Sequence, residues 1–495
     1  MTALTSANLP LIGSVPGPSY DRSRASVGIV HFGFGNFHRS HMAMYIDRLM
    51  ESGDGLDWGI CGVGILPQDA VMRDVMRAQD CLYTLMIRHP DGSLQPRIIG
   101  SVLDYDFGPD DPEAVYSRLL DPNVRIVSLT VTEGGYLKNL ATGEFDAANV
   151  AVVHDVRNRQ EPQTVFAYIV EGLRLRREAG IAPFTVLSCD NLQGNGEIAK
   201  RTVVGFAKLV DPDLGDWIET DVSFPNCMVD RITPVTTDAD RQALASEFGV
   251  EDQWPVPAEP FTQWIVEDHF PAGRPPLERA GVQFVEDVKP YELMKLRLLN
   301  ASHQAIAYLG ASLGYVFVDE ALRDDTLRAY LEQYMALEAA PTLGDLPGID
   351  LDDYMATLIE RFSNPKMRDT LKRLATDGSN RMATFTLPTI RANLAAGRAV
   401  PFSAVMVAAW AQYWVVIGRG ELPADEVPDD VHAGEMTTAA LAQDHNPTAF
   451  IEMDSVFGDL TNNEAFRDEF LGAGRSIEEQ GVRATVDALL ADSWG

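Results

Sequence analysis

Apolar residues fall into two textures along this chain. In the first half they gather in short continuous runs separated by glycine, proline and asparagine; in the second they recur at helical spacing over long stretches. Val27–Phe32 (VGIVHF) is a β-prone run, Gly33–Asn36 a turn, and Phe37–Met50 a helix with apolar recurrence. WGICGVGI follows as a second strand, and IVSLTVT (Ile126–Thr132) and FTVLSC (Phe184–Cys189) read as further buried strands, with a helical pattern over 162–178. Strand, helix, strand at this spacing predicts a mainly parallel sheet covered by helices, an α/β fold of Rossmann type. Residues 1–26 read as an irregular lead-in. After GVQFVEDVKP the pattern becomes helical, over 291–312, 320–339, 351–374 and 401–417. The expectation is therefore two domains, a dinucleotide-binding one over 1–284 and a mainly α-helical one over 285–495.

Composition changes this picture little. The chain has 495 residues, 46% hydrophobic and 23% charged, too long for one compact core and ordinary for a globular protein. A formal charge of −32 argues against nucleic-acid or anionic-membrane partners, which repel a polyanion. Cys61, Cys81, Cys189 and Cys227 form no C-x-x-C pair, which suggests reduced, buried thiols in a cytoplasmic protein. No basic segment precedes a long apolar run at the N-terminus. The longest uncharged stretch, Pro401–Gly418, is just long enough for a bilayer, but it carries Ser403 and Gln412 and starts on a proline, so a buried core helix is the better reading.

Two stretches carry candidate chemistry. Gly33-Phe34-Gly35-Asn36-Phe37-His38 gives G-x-G-x-x-H. After a strand and before a helix, its glycines suit the close approach of a pyrophosphate, and Arg39 could add a phosphate contact. A plain strand–helix turn would read the same way. Asp69, after the second strand, is the candidate for the ribose hydroxyls, and there it would favour NAD over NADP. His38 and His41 could suggest a metal pair, but no glutamate or nearby cysteine completes a zinc set, and no metal is expected.

The second stretch is MKLRLLNASH, Met294–His303. At about 100° per residue, Lys295, His303 and Asn300 share an arc of about 140°, interleaved with leucines and away from the polar stripe of Arg297, Gln304 and Tyr308. A helix apolar nearly all round is buried. Burying polar heads without partners costs roughly 2–7 kcal/mol each. Either Glu292 and Lys295 form a structural ion pair beside a satisfied core histidine, or the three heads converge on a substrate. In the second case a desolvated lysine has the lowered pKa of a general base.

With these residues downstream of a dinucleotide turn, the chain resembles the polyol-specific long-chain dehydrogenases and reductases. IVHFGFGNFHRSH, TVTEGGY (Thr130–Tyr136), SCDNLQGNG (Ser188–Gly196), FPNCMVDRITP (Phe224–Pro234) and KLRLLNASH match that family in order. The resemblance implies metal-independent hydride transfer between NAD and C2 of a hexitol or ketohexose, in a monomer. It makes Lys295 the general acid/base, Asn191 and Asn300 donors to the reacting oxygen, and His303 the group that orients the substrate. It gives Asp230, Arg373 and Arg381 to the polyol chain, and leaves Glu133 and Glu292 to tune or relay the lysine's proton. Two positions depart from the family: Arg381 where lysine is usual, and Gln68 where an acid often precedes Asp69. Arg381 keeps a pentitol dehydrogenase or a sugar-acid reductase open as alternatives, since a guanidinium grips a carboxylate.

Overall fold

A computed structural model describes residues 1–138 and 144–492. The chain divides after Lys289 into two compact units, five residues beyond the boundary expected from sequence.

The first unit is built on β1 (Val27–Phe32), β2 (Gly59–Gly64), β5 (Val102–Phe107), β6 (Ile126–Leu129) and β7 (Thr185–Ser188), all parallel in the order β5-β2-β1-β6-β7. In the central strand Ile29 stands opposite Ile60 on one side and Ile126 on the other. β1, β2, β6 and β7 are buried almost throughout, which is why their sequences are unbroken apolar runs instead of alternating ones. The expected helix after β1 breaks in two, α1 (Asn36–Ser40) and α2 (Met42–Glu51). His41, with φ −112° and ψ −91°, turns its imidazole to the Gln263 carbonyl at 2.9 Å and leaves helical geometry. The helix foreseen over 162–178 is α3 (Val165–Ala179), capped by the Thr164 hydroxyl on the Ala167 amide.

Two further three-stranded sheets escaped the sequence reading. One pairs β3 (Tyr83–Arg88) with β4 (Leu94–Ile99) as a hairpin and with β9 (Val256–Ala258); the other joins β8 (Cys227–Asp230), β10 (Gln263–Glu267) and β11 (Gln283–Val285). Apart from the β3–β4 hairpin, which the sequence reading passed over, their strands are short and join partners well separated in sequence, so local patterning does not reveal them.

The second unit is helical. Pro401–Gly418 is buried without a break from Phe402 to Ala411 and packs on Ala301–Ser312 and Glu464–Asp492, as a core helix does. The helix expected over 351–374 is interrupted between Leu351–Phe362 and Leu371–Ala375, where Pro365 follows Asn364. Three segments widen into π-turns: Lys295–Asn300, Met335–Ala339 and Met382–Thr386.

Candidate functional site

In the first unit the glycine turn leaves β1 at its C-terminal end. Gly33 has φ +87°, and a Cβ there would lie 2.0 Å from the Thr130 carbonyl oxygen, so only glycine fits. Its own carbonyl accepts from the Gly35 amide and the Thr130 hydroxyl, both at 2.7 Å. A Cβ on Gly35 would meet nothing closer than 3.9 Å, so that face of the backbone is open to a large group. This is the cradle a pyrophosphate needs.

Not every residue assigned to that turn faces a ligand. Arg39 is fully buried, and the phosphate contact expected of it is not available. Its guanidinium donates to the Trp254 carbonyl and to Asn36 Oδ1, both at 2.7 Å, and lies over the Tyr83 ring. Burial lowers its pKa to about 10, still cationic at neutral pH. Asn36 is likewise spent, its amide donating to the Pro234 carbonyl and the Thr236 hydroxyl. The Phe34 ring packs into the core edge-on to Tyr105, and Phe37 stacks on His41. These side chains build the turn from beneath, so of the G-x-G-x-x-H segment mainly the glycine backbone remains for a cofactor.

His38, at the third position of the motif, stacks on His31 with ring centroids 3.4 Å apart. Burial pushes His31 down to about 3 and His38 well below the usual histidine range, so both rings are neutral. His31 bonds Ser128 and Thr130; among the described residues neither nitrogen of His38 has a hydrogen-bond partner. Among the described residues no three His, Cys, Asp or Glu side chains gather as metal ligands.

Asp69 follows β2, half-buried, with Oδ2 accepting from the Ile65 and Leu66 amides at 3.0 and 2.9 Å. Gly64 makes its approach possible, because a Cβ there would lie 2.7 Å from Asp69 Cβ and 2.4 Å from the Tyr105 hydroxyl. The carboxylate is thereby fixed just past the end of the second strand, where the sequence pattern wants a ribose acceptor.

Asn191 lies exposed just beyond β7. The sequence reading missed the residue beside it. Asp190 is buried, and its carboxylate accepts from the Val131 amide (3.1 Å), the Thr132 amide (2.8 Å) and the Tyr136 hydroxyl (2.7 Å). It ties the loop after β7 to the loop after β6, where Thr132 sits at φ 65°, and it draws Val131 and Thr132 out of the strand expected there. Burial raises its pKa. Glu133 opens the short 3₁₀ turn that follows, with its side chain exposed, and Asp230 ends β8, buried.

In the second unit Lys295 and Glu292 are both buried, 7% and 6% exposed. The α-helical geometry assumed from the sequence fails here. Lys295–Asn300 is a π-turn, closed by the Ala301 amide on the Leu296 carbonyl, five residues back. Residues five apart therefore stand one turn above each other, and Asn300 shares the face of Lys295 instead of lying about 140° round it. Asn300 Oδ1 is buried and, among the described residues, has no hydrogen-bond partner. His303, one turn on, packs its ring 4.7 Å from that of Phe362. The supposed polar stripe is also interior: Gln304 donates to the Leu374 carbonyl, Tyr308 to Gln304, and Arg297 to the Thr342 carbonyl.

Arg373 and Arg381 are brought together. Arg373 is paired through two nitrogens with Asp369, and Arg381 Nη1 donates to the carbonyls of Arg373 and Leu374 at 3.2 and 3.0 Å. Burial and the neighbouring Arg373 lower the pKa of Arg381.

Comparison with known proteins agrees over the whole length. The family model described as the mannitol dehydrogenase Rossmann domain matches residues 27–279, and that of the mannitol dehydrogenase C-terminal domain matches 287–477. A mannitol 2-dehydrogenase of Phaeosphaeria nodorum is 43% identical over 98% of this chain and 85% of its own; one of Cereibacter sphaeroides is 42% identical over 97% and 99%. Among solved structures, the Pseudomonas fluorescens mannitol 2-dehydrogenase ternary complex with NAD and D-mannitol is 42% identical with a TM-score of 0.83, covering 99% of this chain and all of its own. A substrate-free D-sorbitol dehydrogenase is 37% identical with a TM-score of 0.91, covering 98% and 100%.

Proposed function

The chain belongs to the mannitol dehydrogenase family, and from that membership we propose that it is an NAD-dependent mannitol 2-dehydrogenase, interconverting D-mannitol and D-fructose. The observation that carries the chemistry is the buried amine of Lys295 on a π-turn that brings Asn300 onto the same face.

Gly33 and Gly35, with Asp69, would hold NAD, which when bound accepts the hydride leaving C2. The protein's own task is the proton and the oxygen. Lys295, in its neutral form, takes the proton from the C2 hydroxyl; in reduction the ammonium returns it. Shelter from water lowers a lysine's pKa and suits it to this exchange near neutrality. Asn191 and Asn300 donate to the oxygen as it gains alkoxide character, the stabilisation a metal would otherwise supply. His303 orients the hydroxyl, and Asp230, Arg373 and Arg381 take the rest of the polyol chain. Glu133 and Glu292 are the acids available to pass or tune the proton. The same reading makes the enzyme metal-independent, monomeric and cytoplasmic.

Arg381 leaves a sugar-acid reductase as the second reading. Its Nη1 is already spent on two backbone carbonyls, which counts against a full guanidinium grip on a carboxylate. Initial rates with mannitol, sorbitol, arabinitol, fructose and fructuronate decide. The highest kcat/KM is expected on the mannitol–fructose pair, and higher efficiency on fructuronate or arabinitol would overturn the proposal. Lys295→Ala should remove most turnover while leaving NADH binding intact. Activity after exhaustive chelation and the mass in solution check the remaining points.

A further inference from the structure

Three π-turns lie in contact in the helical unit: Lys295–Asn300 touches both Met335–Ala339 and Met382–Thr386. Two of them have a local cause. Pro341 and Pro388 each fall just after a π-turn, and a proline offers no amide to the carbonyl four residues back and crowds it sterically, so the turn widens. The turn carrying Lys295 contains no proline and is followed by none, and all its residues but Asn300 are good α-helix formers. Left to itself, KLRLLNASH would be α-helical. Something outside the segment holds it in the wider register.

Groups beside the other two turns reach it. The Tyr334 hydroxyl, on a fully buried ring, donates to the Arg297 carbonyl at 3.3 Å, inside the widened turn. The Thr389 hydroxyl donates to the Phe385 carbonyl at 3.4 Å, inside the Met382–Thr386 turn. Asn393, fully buried, donates to the carbonyls of Glu338 and Thr389 at 2.8 and 3.0 Å, locking the second and third turns together. Arg297 itself reaches the Thr342 carbonyl at 2.7 Å, and the Thr342 hydroxyl donates to Ala339 O at 2.6 Å. The two proline-made turns thus form a frame, and the Lys295–Asn300 turn hangs from it by a backbone carbonyl and a guanidinium.

We propose that Tyr334 is a positioning residue: its hydroxyl on the Arg297 carbonyl holds the π register that sets Lys295 and Asn300 on one face. The inference rests on Lys295 being the proton-transfer group. Without the tyrosine hydroxyl the turn relaxes toward α-helical spacing, Asn300 swings away from the amine, and the amine gains access to water.

Tyr334→Phe tests this with the ring volume kept. In mannitol oxidation kcat should fall about tenfold, because misplaced groups lose orientation, while the Kd for NADH stays at the wild-type value. The pH midpoint of kcat should rise by about half a unit as the lysine regains solvation. Amide hydrogen exchange at residues 296–302 should quicken in the full-length protein. A Tyr334→Phe enzyme that loses thermal stability but keeps both the kcat and its pH midpoint would overturn the proposal. Wild-type turnover in Lys295→Ala would instead overturn the assignment of the base, and with it this role for Tyr334.

Discussion

Glu338 offers the sharpest test of the helical unit's energetics. It is 2% exposed, and its carboxylate caps the start of Pro401–Gly418, accepting from the Phe402 amide at 2.6 Å, the Ser403 amide at 2.9 Å and the Ser403 hydroxyl. Burial dominates over these three bonds, and the carboxyl is pushed up from 4.5 to about 7; Glu469, which accepts from the Val400 amide at the same helix end, adds to the rise. The unfolded chain releases this proton near pH 4.5 and the folded one only near pH 7. The stability it contributes is therefore complete below pH 4.5 and is lost as pH rises to about 7. At 1.36 kcal/mol per pH unit the loss is about 3 kcal/mol, or about 6–12 °C in Tm for a domain of this size. Glu338→Gln imitates the protonated carboxyl, with one oxygen to accept and no charge to bury. Thermal unfolding of both proteins, followed by the fluorescence of tryptophans that include the buried Trp410 and Trp414, should show the variant gaining on the wild type by that amount between pH 4.5 and 8. A difference in Tm that stays constant across this interval would refute the reasoning.

Gly33→Ala places a Cβ 2.0 Å from the Thr130 carbonyl at φ +87°, so a loss of more than about 2 kcal/mol in urea unfolding and a weaker Kd for NADH are expected together. Asp190→Asn keeps the size of the side chain but turns an amide toward amide and hydroxyl donors. It should cost about 1–3 kcal/mol and lower kcat more than it changes NADH affinity, both read from steady-state rates and denaturation. Asp69→Ala should raise kcat/KM for NADP relative to NAD, measured with saturating mannitol, because the repulsion of a 2′-phosphate disappears.

The parts of this protein that could be read from the sequence are those whose cause is local. A buried parallel strand must be apolar along its whole length, so VGIVHF, GICGVG and IVSL announced themselves. Gly33 is required by a backbone clash that any residue with a Cβ would make, and it too was legible. Arg39 and Asn36 misled because a cation and an amide beside a phosphate-binding turn look the same whether they face outward to a ligand or inward to Trp254 and Pro234; only the loops that bring in Pro234 and Trp254 decide between those directions. The turn at Lys295 fails to show in the sequence for a related reason. No proline or glycine within KLRLLNASH interrupts an α-helix, and the Tyr334 hydroxyl and Thr342 carbonyl that we propose hold the wider register lie about 40 residues further on. Local rules thus single out Lys295 and Asn300 as candidates, and on our proposal their common direction depends on a frame that includes two prolines, Pro341 and Pro388, far from them in sequence. That dependence predicts where function is fragile. Changes in the frame should damage catalysis with little effect on the fold of the nucleotide unit, while changes beneath the glycine turn should damage folding and cofactor binding together.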